Sequence, residues 1–192
     1  MVIITDYELV VNLNGEIICQ SHEVAICPHC QSVLKHRDCR LGVMKLEGGE
    51  KNWILINRLC CSKCHKLHNE LPDCLVPYKH YASEIIEGVL DDTITSADEE
   101  TEDYPCEMSM IRWKKWLDIN RDFIEGCIRN IGFRIFDENI SFLKAAENRI
   151  DLIRSTGKYW LRTILKVIYN SGESLATELS PKPPWGLAPT LF

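Results

Sequence analysis

The chain has 192 residues, 45% of them hydrophobic and 26% charged, with a net charge of −6. That composition fits an ordinary globular protein of one domain or two small ones. It has no run near the ~18 uninterrupted apolar residues of a membrane helix, so no membrane partner is expected. The opening MVIITDYELV carries an acid where a secretory leader would carry bases, so a cytoplasmic location is expected. In that reducing compartment the ten cysteines are not expected to form a disulfide framework, and metal binding becomes the leading use for some of them.

The first predicted element is a hairpin in ELVVNLNGEIICQ, two β-prone runs around Asn14-Gly15, a dipeptide suited to a type I′ turn. AICPHCQ follows, with Cys27 and Cys30 two residues apart. A second hairpin is predicted in LGVMKLEGGEKNWILINRL, around Gly48-Gly49. It leads into CSKC, where Cys61 and Cys64 repeat the spacing. Two CxxC turns at the ends of a hairpin are the layout of a zinc ribbon, and four thiolates close a tetrahedral shell around one Zn²⁺. A closed shell leaves no position for water, so the expected role is structural. Cys60 is out of register with Cys64 and reads as a strand residue, while His65 and His68 stand as substitute ligands. Cys19, Cys39, Cys74, Cys106 and Cys127 show no pairing and read as core or surface thiols. No βαβ pattern surrounds either CxxC, which argues against a thioredoxin-type redox pair.

Beyond residue 81 the period becomes helical. A short helix is expected over 82–90, a loop over 91–105, and helices near 107–118, 119–131, 139–155 and 158–170. The last carries an apolar stripe of Trp160, Leu161, Ile164, Leu165 and Ile168, with Lys158, Arg162 and Lys166 on another face. The tail SPKPPWGLAPTLF is proline-rich and not expected to be helical. Nine acids and no Lys or Arg lie between Glu84 and Asp103. Removing those nine from the 28 acids leaves 19 against 22 Lys and Arg. The mildly basic remainder neither demands nor forbids a polyanionic partner.

At 100° per residue, Met110, Trp113 and Leu117 share one face of the 107–118 helix. Arg112 and Lys115 lie opposite, with Lys114 at the margin. That pattern fits a recognition helix in a major groove, where Arg pairs with guanine. It equally fits an amphipathic helix with a solvated basic face. Lys79, between Tyr78 and Tyr81, is a candidate phosphate contact, and PYKHY reads equally as an aromatic hinge. No Gly-rich phosphate loop, GxSxG or spaced acidic triad is present, so no enzymatic activity is expected.

The run RLCCSKCHKLHNELPDCLVPYKHY at Arg58–Tyr81, together with SMIRWKKW at Ser109–Trp116, resembles a family of uncharacterised bacterial proteins from Firmicutes mobile elements with a zinc-ribbon-like domain of unknown function. Members typically show RLxCxxCxxxHxxLPDxxVPYKRY, a helix, and then a motif like STIRRWKxW; here His80 stands where an arginine is usual. The resemblance spans roughly residues 25–120. It implies a transposon or integrase accessory role, with a zinc ribbon and a helix-turn-helix on element DNA and strand chemistry left to a separate recombinase.

The expected fold is thus α+β: an N-terminal β-hairpin and zinc ribbon over 1–76, a mostly helical domain of helix-turn-helix character over 77–178, and a tail over 179–192. The expected function is non-catalytic binding of duplex DNA, with zinc on Cys27, Cys30, Cys61 and Cys64 and DNA contacts from Lys79, Arg112, Lys114 and Lys115. A transposase or recombinase is the expected protein partner. The other reading is an adaptor that docks on a recombinase or another protein, marked by an apolar patch around Trp116 or Trp185.

Overall fold

The computed structural model describes residues 1–98, 105–135 and 148–177. Its fold is mixed α+β, with six strands in one sheet and four helices among the described residues. No helix among these residues is long and apolar enough to cross a membrane.

Strand β5 (Lys51–Cys61) organises the sheet. Its alternation buries Ile54 and Ile56 on one face and Leu59 and Cys61 on the other, as the two-residue period of a strand requires. β4 (Leu34–Lys45) runs antiparallel along one whole edge of β5, and the two are joined through Gly48 and Gly49, both left-handed. The other edge is divided. β3 (Ile17–Ser21) lies parallel beside Ile54 and Leu55, and β6 (Leu67–Pro72) lies antiparallel beside residues 58–60. β2 (Tyr7–Val11) pairs antiparallel with β3, and β1 (Val2–Ile4) pairs parallel with β6.

The β2–β3 connection is not the two-residue type I′ turn that Asn14-Gly15 predicts. The Gly15 N–H donates to the Asn12 carbonyl at 3.0 Å, and within this connection Gly15 alone is left-handed. That is a type I turn followed by a left-handed glycine, the three-residue solution. The Asn12 side-chain oxygen holds it by accepting from the N–H of Asn14 and Glu16, both at 2.9 Å.

The helices are α1 (Ser83–Leu90), α2 (Glu107–Ile135), α3 (Arg149–Ser155) and α4 (Trp160–Asn170). α2 is one continuous helix where the pattern predicts two, over 107–118 and 119–131. No Gly or Pro interrupts it near residue 118. Asn120, a poor helix former, is buried there and fully used. Its side-chain NH₂ donates to the Trp116 carbonyl (2.8 Å) and the Ala176 carbonyl (3.2 Å), and its oxygen accepts the Ala176 N–H at 2.8 Å. Of the expected 139–155 helix, 149–155 is α3 and 139–147 lies outside the described residues. So do residues 99–104 of the acidic stretch and the tail from 178 onward.

α4 starts at Trp160 and not at 158, because Gly157 and Tyr159 are both left-handed (φ 124° and 71°). No side chain of its own caps this end. Glu87 of α1 does so across the core, accepting the N–H of Tyr159 at 2.6 Å and of Leu161 at 3.0 Å. The main core joins Ile86 and Val89 of α1, Trp113 and Ile124 of α2, Ile150 of α3 and Trp160, Ile164 and Ile168 of α4 to Ile3 of β1 and Val76. At the far end of α4, Asn170 pairs with the Ile3 backbone, accepting its N–H (2.7 Å) and donating to its carbonyl (2.8 Å). Two residues on, left-handed Gly172 lies against Pro28, whose carbonyl oxygen would be 3.3 Å from an added Cβ.

A helix-turn-helix is not shown. α1 and α2 are separated by residues 91–106, against the 3–4-residue turn such a motif uses. The shorter link, 156–159, leads into α4, whose apolar stripe is buried. Arg162 of α4 is ion-paired with Asp73 and Glu84, and Lys166 with Glu23.

Candidate metal centre

The two CxxC segments fold into the same backbone loop. In the first, the Gln31 N–H donates to the Cys27 carbonyl (2.9 Å) and the Cys27 N–H to the Ser32 carbonyl (2.8 Å). In the second, the His65 N–H donates to the Cys61 carbonyl (2.9 Å) and the Cys61 N–H to the Lys66 carbonyl (3.0 Å). Each loop turns through one left-handed residue directly after its second cysteine, Gln31 at φ 60° and His65 at φ 57°. His65 therefore has a backbone role, with an exposed ring.

The β4–β5 ribbon brings the loops together. The sulfur atoms of Cys27, Cys30, Cys61 and Cys64 all lie within 4.8 Å of one another, with Cys27–Cys64 at 3.6 Å and Cys30–Cys61 at 3.3 Å. These four residues could hold a metal ion. Val2, Leu34 and Leu59 pack with the buried Cys27 and Cys61, while Cys30 and Cys64 are half-buried. Cys60 lies outside this group, its sulfur pointing to the Cys61 carbonyl at 3.8 Å.

The electrostatics of the thiols suit a cation. Hydrogen bonds from the Ser32 backbone and hydroxyl, and from Cys61, pull the Cys30 thiol down to about 6. The Lys66 N–H favours the Cys64 thiolate, but burial and the neighbouring thiols outweigh it and push Cys64 up to about 12. One anion among four close sulfurs discourages the next, and a shared cation removes that conflict.

His68 is the residue that spacing did not resolve. It pairs with Leu59 across β5–β6, and Cys61 lies two residues beyond Leu59 on the same face. Its ring is buried with Nε2 3.6 Å from the Cys27 sulfur and Nδ1 3.3 Å from the Met1 nitrogen. Burial first, then nearby positive charges, hold it down at about 4. His68 thus borders the four-cysteine group without belonging to it, its Nε2 facing Cys27 and its Nδ1 facing the Met1 nitrogen. The signal for this is the β5–β6 register, which reading His68 as a substitute ligand leaves unused.

The predicted DNA contacts fall into three situations. Arg112 and Lys115 are exposed on α2, whose opposite face buries Met110, Trp113 and Leu117. Neither forms an ion pair among the described residues. Lys114 is ion-paired with Asp92, which holds the Asp92 carboxyl below its usual range. The Lys79 ammonium lies over the Trp116 ring, 4.9 Å from its centre. Trp116 is buried and donates its indole N–H to the Ala176 carbonyl (3.1 Å), so it forms no exposed apolar patch. Trp185 lies outside the described residues.

The fold and site define an α+β protein built around a four-cysteine cluster with metal-ligand geometry. A family model described as "Domain of unknown function (DUF6431)" matches residues 27–113, so this domain spans both cysteine loops, the whole β4–β6 sheet edge and the first turns of α2. No curated protein and no solved structure matches the chain.

Proposed function

We propose that the protein is a zinc-stabilised, non-catalytic DNA-binding accessory protein of a transposon or integrase system, acting in the cytoplasm. Zinc is favoured by the donor set. A tetrahedral shell with Zn–S bonds of ~2.3 Å needs sulfurs ~3.8 Å apart, close to the 3.3 and 3.6 Å pairs present. The observation that carries the DNA reading is the exposed pair Arg112 and Lys115 on the outer face of a helix whose inner face is locked in the core. Lys79 adds a third cation next to them; Lys114, neutralised by Asp92, contributes least. The mobile-element setting rests on the resemblance of Arg58–Tyr81 and Ser109–Trp116 alone.

A titration of the whole protein against duplex DNA at low salt tests this. Lys115→Ala is expected to weaken all sequences alike and lower the salt slope by about one unit. Arg112→Ala is expected to cost ~1–3 kcal/mol at one base position. Absence of association at low salt overturns the DNA reading.

The adaptor reading keeps one observation in its favour. On the outward face of the sheet, Val10 lies opposite Ile18, Ile18 beside Leu55, and Leu55 opposite Leu41. Val43 and Trp53 extend this row, with Trp53 49% exposed. Apolar residues aligned across four strands are what a protein-docking face would offer. Trp53→Glu should leave DNA affinity unchanged; if it removes association with a recombinase while DNA binding is absent, the adaptor reading prevails.

A further inference from the structure

The segment after β6, the first turns of α2 and the chain beyond α4 line a half-open cavity of about 270 Å³. Small-molecule sites typically run ~300–1,000 Å³, so this one has room for a single ring system and not for a double helix. Its lining is unusual for the chain that makes it. The net charge is −6, yet no described residue facing the cavity is acidic, while Lys79, His80 and Arg112 all face it.

The aromatic side of the lining is fixed. Tyr81 stands edge-on to Trp113, ring centres 4.7 Å apart, and Trp116 holds the Lys79 ammonium over its face. Tyr78 is placed differently. The Lys79 N–H donates to the Val76 carbonyl at 3.0 Å and closes a turn with Pro77 at its second position. Tyr78 takes the third position with φ 63°, where a type II turn favours glycine. The residue is 67% exposed, so burial does not offset that strain. Strained backbone of this kind persists where the surroundings impose it, and it gathers at ligand sites. Here its effect is to hold an open aromatic face at the rim of a cationic cavity.

Cations alone would suit any anion, and aromatic faces any flat ring. A nucleotide unites the two in one unit. We infer that this cavity is a nucleotide subsite, in which a base stacks on Tyr78 and the attached phosphate meets Lys79 and Arg112. The nucleotide comes either as a free mononucleotide or as an unpaired residue of a strand. The subsite shares two cations with the duplex reading above but does not depend on it.

The test uses the full chain, with tryptophan fluorescence and calorimetry as readouts and AMP, adenosine, inorganic phosphate and a short single-stranded oligonucleotide as probes. AMP is expected to bind roughly tenfold or more tighter than inorganic phosphate, the scale of one base–aromatic stack, and also tighter than adenosine, which lacks the charged contacts to Lys79 and Arg112. Tyr78→Gly is expected to lose roughly tenfold in AMP affinity while melting at the same or a higher temperature, since glycine accepts this φ freely. Lys79→Gln should weaken AMP and leave adenosine unchanged. Displacement of AMP by the oligonucleotide supports a strand as the source, and AMP binding without displacement supports a free nucleotide. Failure of both AMP and the oligonucleotide to bind at millimolar concentration overturns the subsite, as does AMP affinity indifferent to Tyr78→Gly and Lys79→Gln. Lys115→Ala, outside the cavity, separates the two readings. It should weaken duplex binding only, and a matching loss of AMP affinity would place the nucleotide on the outer face of α2 and overturn the subsite.

Discussion

The cysteine cluster and the basic edge of α2 are built in opposite ways. Each cysteine loop is a local object, closed by its own backbone hydrogen bonds within six residues, and a single ribbon joins the two copies. The basic edge has no local unit. Residues from before α1, the start of α2 and the chain beyond α4 meet there only because the helical core packs. The first site is four sulfurs that could hold a metal ion, and the second depends on the fit of apolar side chains.

On the zinc reading proposed above, removing the metal is the largest perturbation that separates them. Apparent binding free energies of ~10–16 kcal/mol for structural zinc match or exceed the ~5–15 kcal/mol stability of an ordinary domain. Chelation, or Cys61→Ser, should thus unfold the ribbon, with one metal per chain lost by elemental analysis; Cys60→Ser should retain it. A metal-free chain with an intact near-UV spectrum would break the comparison.

Trp160→Ala attacks the other side. The ring is buried in the main core, and truncation of such a residue costs ~3–5 kcal/mol. Denaturant midpoints should fall accordingly while the metal content of the folded protein stays unchanged. Metal loss in step with stability would show that the two sites share one cooperative unit.

A smaller effect is expected at His68, whose buried Nε2 faces the Cys27 sulfur. Partners of this kind typically contribute ~10–100-fold to metal affinity. His68→Ala should speed metal release to a chelator dye by that order, and His68→Gln, which keeps an N–H donor, should recover part of it. Equal release from both variants would assign His68 to packing.

The smallest effect is a pH slope. Burial holds the Glu87 carboxyl above its ordinary value of 4.5, against the N–H groups of Leu161 and Tyr159 that favour its charged form. A raised acid binds its proton more tightly folded than unfolded. The stability it adds is complete below that ordinary value and is lost as pH rises through the folded one. Melts between about pH 4 and 8 should show that decline in the native chain and a flatter curve in Glu87→Gln; identical slopes would exclude Glu87 as the source.

The same contrast explains what could be read from the chain beforehand. The four clustered cysteines were legible because a CxxC loop is written in four consecutive letters. The β4–β5 ribbon, α1 and the buried stripe of α4 were legible from period and from Gly48-Gly49. β1 was not, since three apolar residues show no period, and its partners on β6, from Val2 with Glu70 to Ile4 with Pro72, are far away in sequence. The continuity of α2 was hidden because Asn120 satisfies its polar groups against Ala176, a tertiary event. The roles of Lys114 and Lys79 were hidden for the same reason. One is taken by Asp92 and the other by Trp116, and neither contact has a signature in spacing.

The seam at Gly172 has a mechanical consequence. Backbone meets backbone there, with Pro28 of the first cysteine loop against the turn that ends α4, while Asn170 clamps that end to Ile3. Side chains absorb small displacements by changing rotamer; two abutting backbones have no such slack. A shift of the first loop, as when its sulfurs tighten on a ligand, is therefore expected to reach the end of α4 and, through the clamp, β1.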